Sequence, residues 1–243
     1  MKTSIDVKLK EYDLEVLEED YDRISIFIED AKQINHICSR LNKLTKGTIS
    51  KAINSKEFEK KSCGDVLTLS FPSGLQAKYL DLVKWTKSGQ SNDARKAGVN
   101  LAKKSNNSRI LVCANKQKFL EELIKGYLLR RYEFSNYKAT EDRGVGSITL
   151  MLKRPKDFEK SLSETKAIVD GVFFTRNLVN EPANILNTVE FSNRLKELAT
   201  IGVDVEILEE KKLAELGMNA LLGVGQGSAN PSKVVVMSWK GLS

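Results

Sequence analysis

Arg109-Ile110-Leu111-Val112-Cys113-Ala114 is a short apolar run with no polar alternation. Such a run is apolar on both faces, which is the signature of a strand buried inside an α/β sheet. The flanks support that reading. Residues 91–104 place Ala94, Ala97, Leu101 and Ala102 at helical spacing, and residues 116–131 read as a second helix. Ile148, Leu150 and Leu152 alternate as a further strand. Upstream, Ile5, Val7 and Leu9 alternate, and Ile24-Ser25-Ile26-Phe27-Ile28 is a stronger strand. Asp30 precedes a helical stripe of Ile34, Ile37, Cys38, Leu41 and Leu44, which Gly47 is placed to end. Residues 48–87 read as a helix-poor β region, with strands at Val66–Phe71 and Tyr79–Trp85 around a Pro72-Ser73-Gly74 turn. Strands separated by helices over about 150 residues make an α/β domain.

Pro155 marks a boundary. From Lys156 to Val179, Phe158, Leu162, Ile168, Val169, Val172, Phe173 and Leu178 recur at helical intervals, a helix roughly 36 Å long. Pro182 ends it, because proline lacks an N–H and clashes with the preceding turn. A helix over Phe191–Leu198, a break at Gly202, a strand over Val203–Leu208, a short helix over Lys211–Leu216 and a strand over Val234–Trp239 follow. The last strand is apolar on both faces, as a central strand would be, and its neighbours are not evident in the sequence. Residues 183–243 therefore read as the opening of a second α/β domain, and Val234–Met237 as an exposed, association-prone strand.

Composition narrows the function. With 243 residues and 41% hydrophobic content, the chain can bury a sizeable core. No stretch reaches 18 apolar residues, so no transmembrane helix and no membrane partner are expected, and the N-terminus lacks a signal-peptide h-region. Three widely spaced cysteines, Cys38, Cys63 and Cys113, make no disulfide framework, which points to a reducing cytoplasm. The net charge is +7, but residues 31–155 carry twenty-five bases against ten acids, while residues 1–30 are acidic. A basic region can attract nucleic acid, with the Arg95-Lys96 and Lys103-Lys104 pairs as first candidates, or it is a lysine-rich solvated surface.

The residues offer little chemistry of their own. Histidine occurs once, at His36, off its helix's apolar stripe, so a clustered Cys/His zinc site is excluded and no hydroxyl or thiol has a base partner. Glu18-Glu19-Asp20, Glu121-Glu122 and Glu209-Glu210 fall on stretches that read as solvated, and adjacent helix positions do not converge on one metal. Gly223-Val224-Gly225-Gln226-Gly227-Ser228 runs into a strand rather than a helix and lacks the Walker lysine, so it reads as a structural glycine turn. The three asparagines of Asn177–Asn184 read as capping and loop residues around Pro182, with an amide contact to a ligand as the alternative.

Two segments nevertheless resemble a known family in order and spacing. One is Arg176-Asn177-Leu178-Val179-Asn180-Glu181-Pro182-Ala183-Asn184, continuing to Thr188 and Phe191. The other is Leu216–Ser228, continuing to Val234-Val235-Val236-Met237-Ser238-Trp239-Lys240-Gly241. Both resemble the leucine (cytosol) aminopeptidases, two-metal exopeptidases. Gly126–Leu129, Tyr132-Glu133-Phe134 and Tyr137-Lys138 echo it more weakly. Val189 stands where the family usually has proline, and Asn219 where it often has glycine. The resemblance implies a macro-domain-like N-terminal lobe with a mixed sheet over residues 1–155, a linker helix over 156–182, and the truncated start of the catalytic domain over 183–243. It also implies peptide substrates, a hexamer, and two divalent ions, manganese or zinc, that activate a water. Their ligands lie in a lysine-bearing segment ending Phe-Asp-Thr-Gly-Gly and in a later Asn-Thr-Asp-Ala-Glu-Gly-Arg segment, neither of which occurs here, so no metal or catalytic residue is carried over and no metal is expected to bind this chain. Three readings follow: an inert part of an aminopeptidase, a binding module that takes DNA as some family members do, or a degenerate relative that assembles with a complete subunit.

Overall fold

The computed structural model describes residues 5–29, 36–115, 117–137 and 146–241. The chain divides into two compact units, Met1–Phe174 and Thr175–Ser243.

The first unit is built on six strands: β1 (Asp6–Glu11), β2 (Arg23–Ile28), β3 (Val66–Ser70), β4 (Tyr79–Lys84), β5 (Arg109–Cys113) and β6 (Ser147–Leu152). Their order is β1-β6-β5-β2-β4-β3. The first five of these in the sheet are parallel to one another, and β3 joins β4 antiparallel at the edge, so the sheet is mixed. The segment that decided the fold, β5, lies between β6 and β2 and feeds both faces. Ile110 and Val112 enter one core, Leu111 and Cys113 the other. The first core is covered by α4 (Ser91–Ser105), α5 (Leu120–Arg130) and the start of α6 (Glu159–Asn180) through Leu162 and Val169. The second is covered by α1 (His36–Leu44), α2 (Thr48–Ile53) and α3 (Lys56–Glu59) through Ile37, Leu41, Ile49, Ile53 and Phe58. Helices α4 and α5 meet backbone to backbone: a Cβ on Gly98 would lie 1.9 Å from the Leu123 carbonyl oxygen, and one on Gly126 2.2 Å from that of Arg95.

Several local readings need correction. Residues 48–59 are helical rather than β. Ile49, Ile53 and Phe58 supply the inward-facing side chains, and Ser55 caps α3 by accepting the Phe58 N–H. Helix α5 begins at Leu120, after Phe119 in the left-handed region at φ 58°; residue 116, where that helix was expected to start, lies outside the described residues, as do Asp30, Ile34 and Lys138. Helix α1 closes in a Schellman arrangement, Gly47 N–H to Asn42 O at 2.8 Å and Lys46 N–H to Lys43 O at 3.2 Å, so Lys46 at φ 51° takes the left-handed position beside Gly47.

The second unit contains the end of α6, α7 (Thr188–Lys196), β7 (Asp204–Leu208), α8 (Glu210–Glu215), α9 (Asn219–Gly225) and β8 (Val234–Ser238). Gly202, at φ 95°, ends the 3₁₀ turn after α7. Two sequence readings change here. Strand β8 has a neighbour in the chain: it pairs antiparallel with β7, Val205 opposite Met237 and Ile207 opposite Val235. The glycine-rich stretch is not a simple turn, since Gly223 and Gly225 lie in α9. A Cβ on Gly225 would meet the Ser232 hydroxyl at 1.9 Å, so the glycine is set by that close approach.

Candidate functional site

The segment Asn177–Asn184 runs from the last turn of α6 into its connection to α7, and a cluster of charge holds it there. Glu181 has 2% of its side chain exposed and accepts from Arg194 Nη1 at 2.9 Å. Arg194 Nε donates to Glu190 at 2.8 Å, one helical turn away on α7. Hydrogen bonds to Glu190 and then Glu181 raise the guanidinium pKa further, so Arg194 is a fixed cation. Asparagine capping is observed, at Asn187: its side chain accepts the Val189 and Glu190 N–H groups at 3.0 Å and starts α7. Asn180 donates from its side chain to Arg176 O at 2.9 Å.

The loop before β8 is tied to this region by polar contacts. Thr188 donates its hydroxyl to Pro231 O at 2.7 Å, Glu210 accepts the Ser232 N–H at 2.9 Å, and Lys233 donates to Glu209 at 2.6 and 2.7 Å. The Glu209–Glu210 pair is therefore occupied in tethering β8 to α8.

Of the other candidate carboxylates, Glu18, Glu19, Asp20 and Glu122 are engaged. Glu19 pairs with Lys10, Glu18 with Arg40 at 3.5 Å, and Asp20 with Arg109. Glu122 is not a solvated acid: 15% of its side chain is exposed, between Arg95 and Lys125. Burial works to raise its pKa, but hydrogen bonds from Lys125 and Arg95 outweigh that and hold it below the ordinary carboxylate range.

All four basic candidates lie on α4, on the side away from buried Ala94, Ala97, Leu101 and Ala102. Arg95 is bound by Glu122, and Lys96 by Asp65 at 2.9 Å. Lys103 and Lys104 are exposed in the last turn. The structure thus brings the four onto one helix but neutralises the first pair locally. His36 is exposed and shares a hydrogen bond with the Tyr12 hydroxyl at 3.1 Å. Burial pushes the Cys38 and Cys113 thiols up to about 11 and about 12, which leaves them protonated and poorly nucleophilic.

One buried polar centre had gone unnoticed in the sequence. Arg23 Nη1 donates to both carboxylate oxygens of Asp81 at 2.7 and 2.8 Å, Thr68 donates to the same carboxylate at 2.6 Å, and the Arg23 guanidinium lies 4.3 Å from the Tyr79 ring centre. Asp81 is fully buried. A lone aspartate inside the apolar run Tyr79–Trp85 was the available signal. The Ser25 hydroxyl lies 3.4 Å from the same carboxylate, and the cluster fastens β2, β3 and β4 together.

Among the described residues no three His, Cys, Asp or Glu side chains converge as a metal ion requires. The described residues therefore present no acid grouping that fits a two-metal centre.

Comparison with known proteins bears on these segments directly. The sequence model of the cytosol aminopeptidase family, catalytic domain, matches residues 173–243. The chain is 40% identical over 229 residues to a probable cytosol aminopeptidase of Dinoroseobacter shibae, covering 94% of this chain and 47% of that protein. It is 37% identical over 241 residues to a probable cytosol aminopeptidase of Cereibacter sphaeroides, covering 99% and 49%. In structure it is similar to a tomato leucine aminopeptidase mutant (TM-score 0.78, 22% identity, 98% of this chain and 51% of that one). It is also similar to the bottromycin maturation enzyme BotP in complex with Mn (TM-score 0.66, 21% identity, 90% and 45%). The chain spans about half the length of the curated relatives it matches.

Proposed function

The chain belongs to the cytosol aminopeptidase family, and on that premise we propose that it is the N-terminal portion of an enzyme that releases N-terminal amino acids from peptides by two-metal hydrolysis. Residues 1–155 form the N-terminal lobe, 156–182 the linker helix and 183–243 the start of the catalytic domain. The observation that carries this reading is the catalytic-domain match over residues 173–243, on a chain half as long as its relatives. The parent enzyme works in the cytoplasm, as an oligomer, on manganese or zinc. On this reading the chain alone is catalytically silent, because neither of the family's ligand-bearing segments occurs in it, and Glu122, Glu181, Glu209 and Glu210 are engaged in ion pairs and hydrogen bonds that hold the fold. The test is an assay of the purified 243-residue chain with manganese or zinc and a leucyl substrate. No turnover is expected, and activity that survives stringent purification refutes the reading.

A further inference from the structure

The two edges of the first unit's sheet differ in kind. Edge strand β1 is charged along its length, with Asp6, Lys8, Lys10 and Glu11. Such charges blunt an edge against pairing with another chain. Edge strand β3 reads Val66-Leu67-Thr68-Leu69-Ser70 and carries no charge.

The register shows which main-chain groups β3 leaves over. In an antiparallel pair, opposed residues alternate between hydrogen-bonded and non-hydrogen-bonded. Phe71 N–H donates to Lys78 O at 2.7 Å and Lys84 N–H to Asp65 O at 2.8 Å, so the odd-numbered residues of β3 bond to β4. The odd-numbered residues of β4 turn the other way, toward β2. Tyr79 N–H donates to Asp22 O at 3.1 Å and Trp85 N–H to Ile28 O at 2.9 Å. The N–H and C=O groups of Val66, Thr68 and Ser70 therefore point outward, and they have no partner among the described residues. Exposure rises along the strand from buried Val66 and Leu67 to exposed Ser70, and Phe71 beyond it is 76% exposed. The accessible stretch is residues 68–71, where the Phe71 ring adds an apolar contact.

The surroundings set the charge of a strand that pairs there. Leu67 and Leu69 face the core covered by α1, α2 and α3. That helical layer presents Lys43, Lys46, Lys51, Lys56 and Lys60 to solvent against two acids, Glu57 and Glu59. Arg40 is answered by Glu18, but none of the five lysines is in an ion pair among the described residues. A row of free N–H and C=O groups is matched in full by another extended main chain. Side chains on such a strand alternate between the faces, so those on the lysine side should be acidic. We infer that the outer edge of β3 is a docking edge for an extended acidic strand of a partner polypeptide, one that alternates carboxylates with β-branched residues. The edge lies wholly on the first unit and does not depend on the aminopeptidase reading.

The test is hydrogen exchange on the full chain with the peptide Val-Glu-Val-Glu-Val-Glu-Val, acetylated and amidated at its ends. In the chain alone, the Thr68 and Ser70 amides should exchange fast, and those of Leu67 and Leu69, bonded to β4, slowly. The peptide should slow Thr68 and Ser70 by at least about tenfold and leave β5 unchanged. N-methylation of the glutamates removes the N–H groups on one edge of the peptide strand, and of the valines those on the other. One of the two should lower affinity at least about tenfold and the other little, because only one edge bonds to β3. Val-Lys-Val-Lys-Val-Lys-Val should not bind. Ser70→Pro removes an outward N–H where an edge strand tolerates proline, so binding should fall at least about tenfold with Leu67 protection kept. No slowing at millimolar peptide, equal effects of the two methylations, or equal binding of the lysine peptide overturns the inference. Slow exchange of Thr68 and Ser70 in the dilute chain alone overturns it too, since the edge is then already covered. Protection there that rises with chain concentration assigns the edge to a second copy instead.

Discussion

Replacing Asp81 with asparagine tests what holds the first unit's sheet together. The carboxylate accepts Arg23 through both oxygens at 2.7 and 2.8 Å and Thr68 at 2.6 Å, and it is fully buried on β4. Asparagine keeps the shape but removes the charge, so the Arg23 guanidinium, 5% exposed, is left in the interior without its counter-ion. The remaining cation–π contact with Tyr79 contributes about 2 kcal/mol and does not replace a counter-ion. Breaking one partner of a buried pair costs about 3–5 kcal/mol, a large fraction of a typical domain's 5–15 kcal/mol. With a urea slope of about 2 kcal/mol/M, the midpoint should fall by about 2 M. The measurement is urea unfolding followed by Trp85 emission in a Trp239→Phe background, which reports the first unit alone. The double variant Arg23→Met with Asp81→Leu should recover most of the loss, because a buried pair exchanged whole for apolar side chains is close to neutral. A loss below about 1 kcal/mol for Asp81→Asn, or a double variant no better than the single one, refutes the assignment of the pair as the fastening of β2 to β4.

Gly98→Ala should destabilise the first unit by at least about 1–3 kcal/mol, since its methyl would fall on the Leu123 carbonyl and force α4 from α5; an unchanged thermal midpoint would contradict that packing. Glu122 gives a signed pH dependence. Its folded pKa is lowered, so its contribution is present above the unfolded value and is lost as pH falls through the folded one; Glu122→Gln should therefore flatten the acid limb of the stability profile, and a parallel downward shift at every pH would show that no titration is involved. The basic residues of α4 are separable. If α4 is a DNA contact, retention on duplex DNA should fall steeply as salt rises and should weaken more in Lys103→Ala with Lys104→Ala than in Arg95→Ala with Lys96→Ala, whose charges already face Glu122 and Asp65; equal effects, no retention or a flat salt response would remove α4 as the contact.

The first unit was legible where periodicity and burial coincide. Strand β5 reads correctly because both its faces are buried, which leaves a run without alternation. Composition found β2, alternation found β6 although both of its faces are buried, and helical spacing found the apolar stripes of α4 and α1. It failed over residues 48–59, where two helices of six and four residues are too short for a helical period to emerge and their helicity comes from packing Ile49, Ile53 and Phe58 onto the sheet. The Arg23–Asp81 pair was invisible for a different reason. The residues are far apart in sequence, and what joins them is the β2–β4 register, which sets Arg23 opposite Tyr79 and Ser25 opposite Asp81. Local pattern carries no register information between strands that are neighbours in the sheet but not consecutive in sequence.

In the second unit the balance is reversed, and its sequence motif is sharper than its burial pattern. The segment around Asn177–Asn184 is kept in place by groups whose identity is fixed by geometry: Glu181 against Arg194, Asn187 over the start of α7, Thr188 on Pro231, and Gly225 against Ser232. Each contact demands a particular side chain, whereas a core accepts any apolar residue of suitable volume. A chain held by such contacts keeps a readable motif. A chain held by packing keeps only a pattern. The polar tethers specify the path of the backbone, but with Leu213 as its single buried apolar side chain they supply little of the stabilisation that burial would.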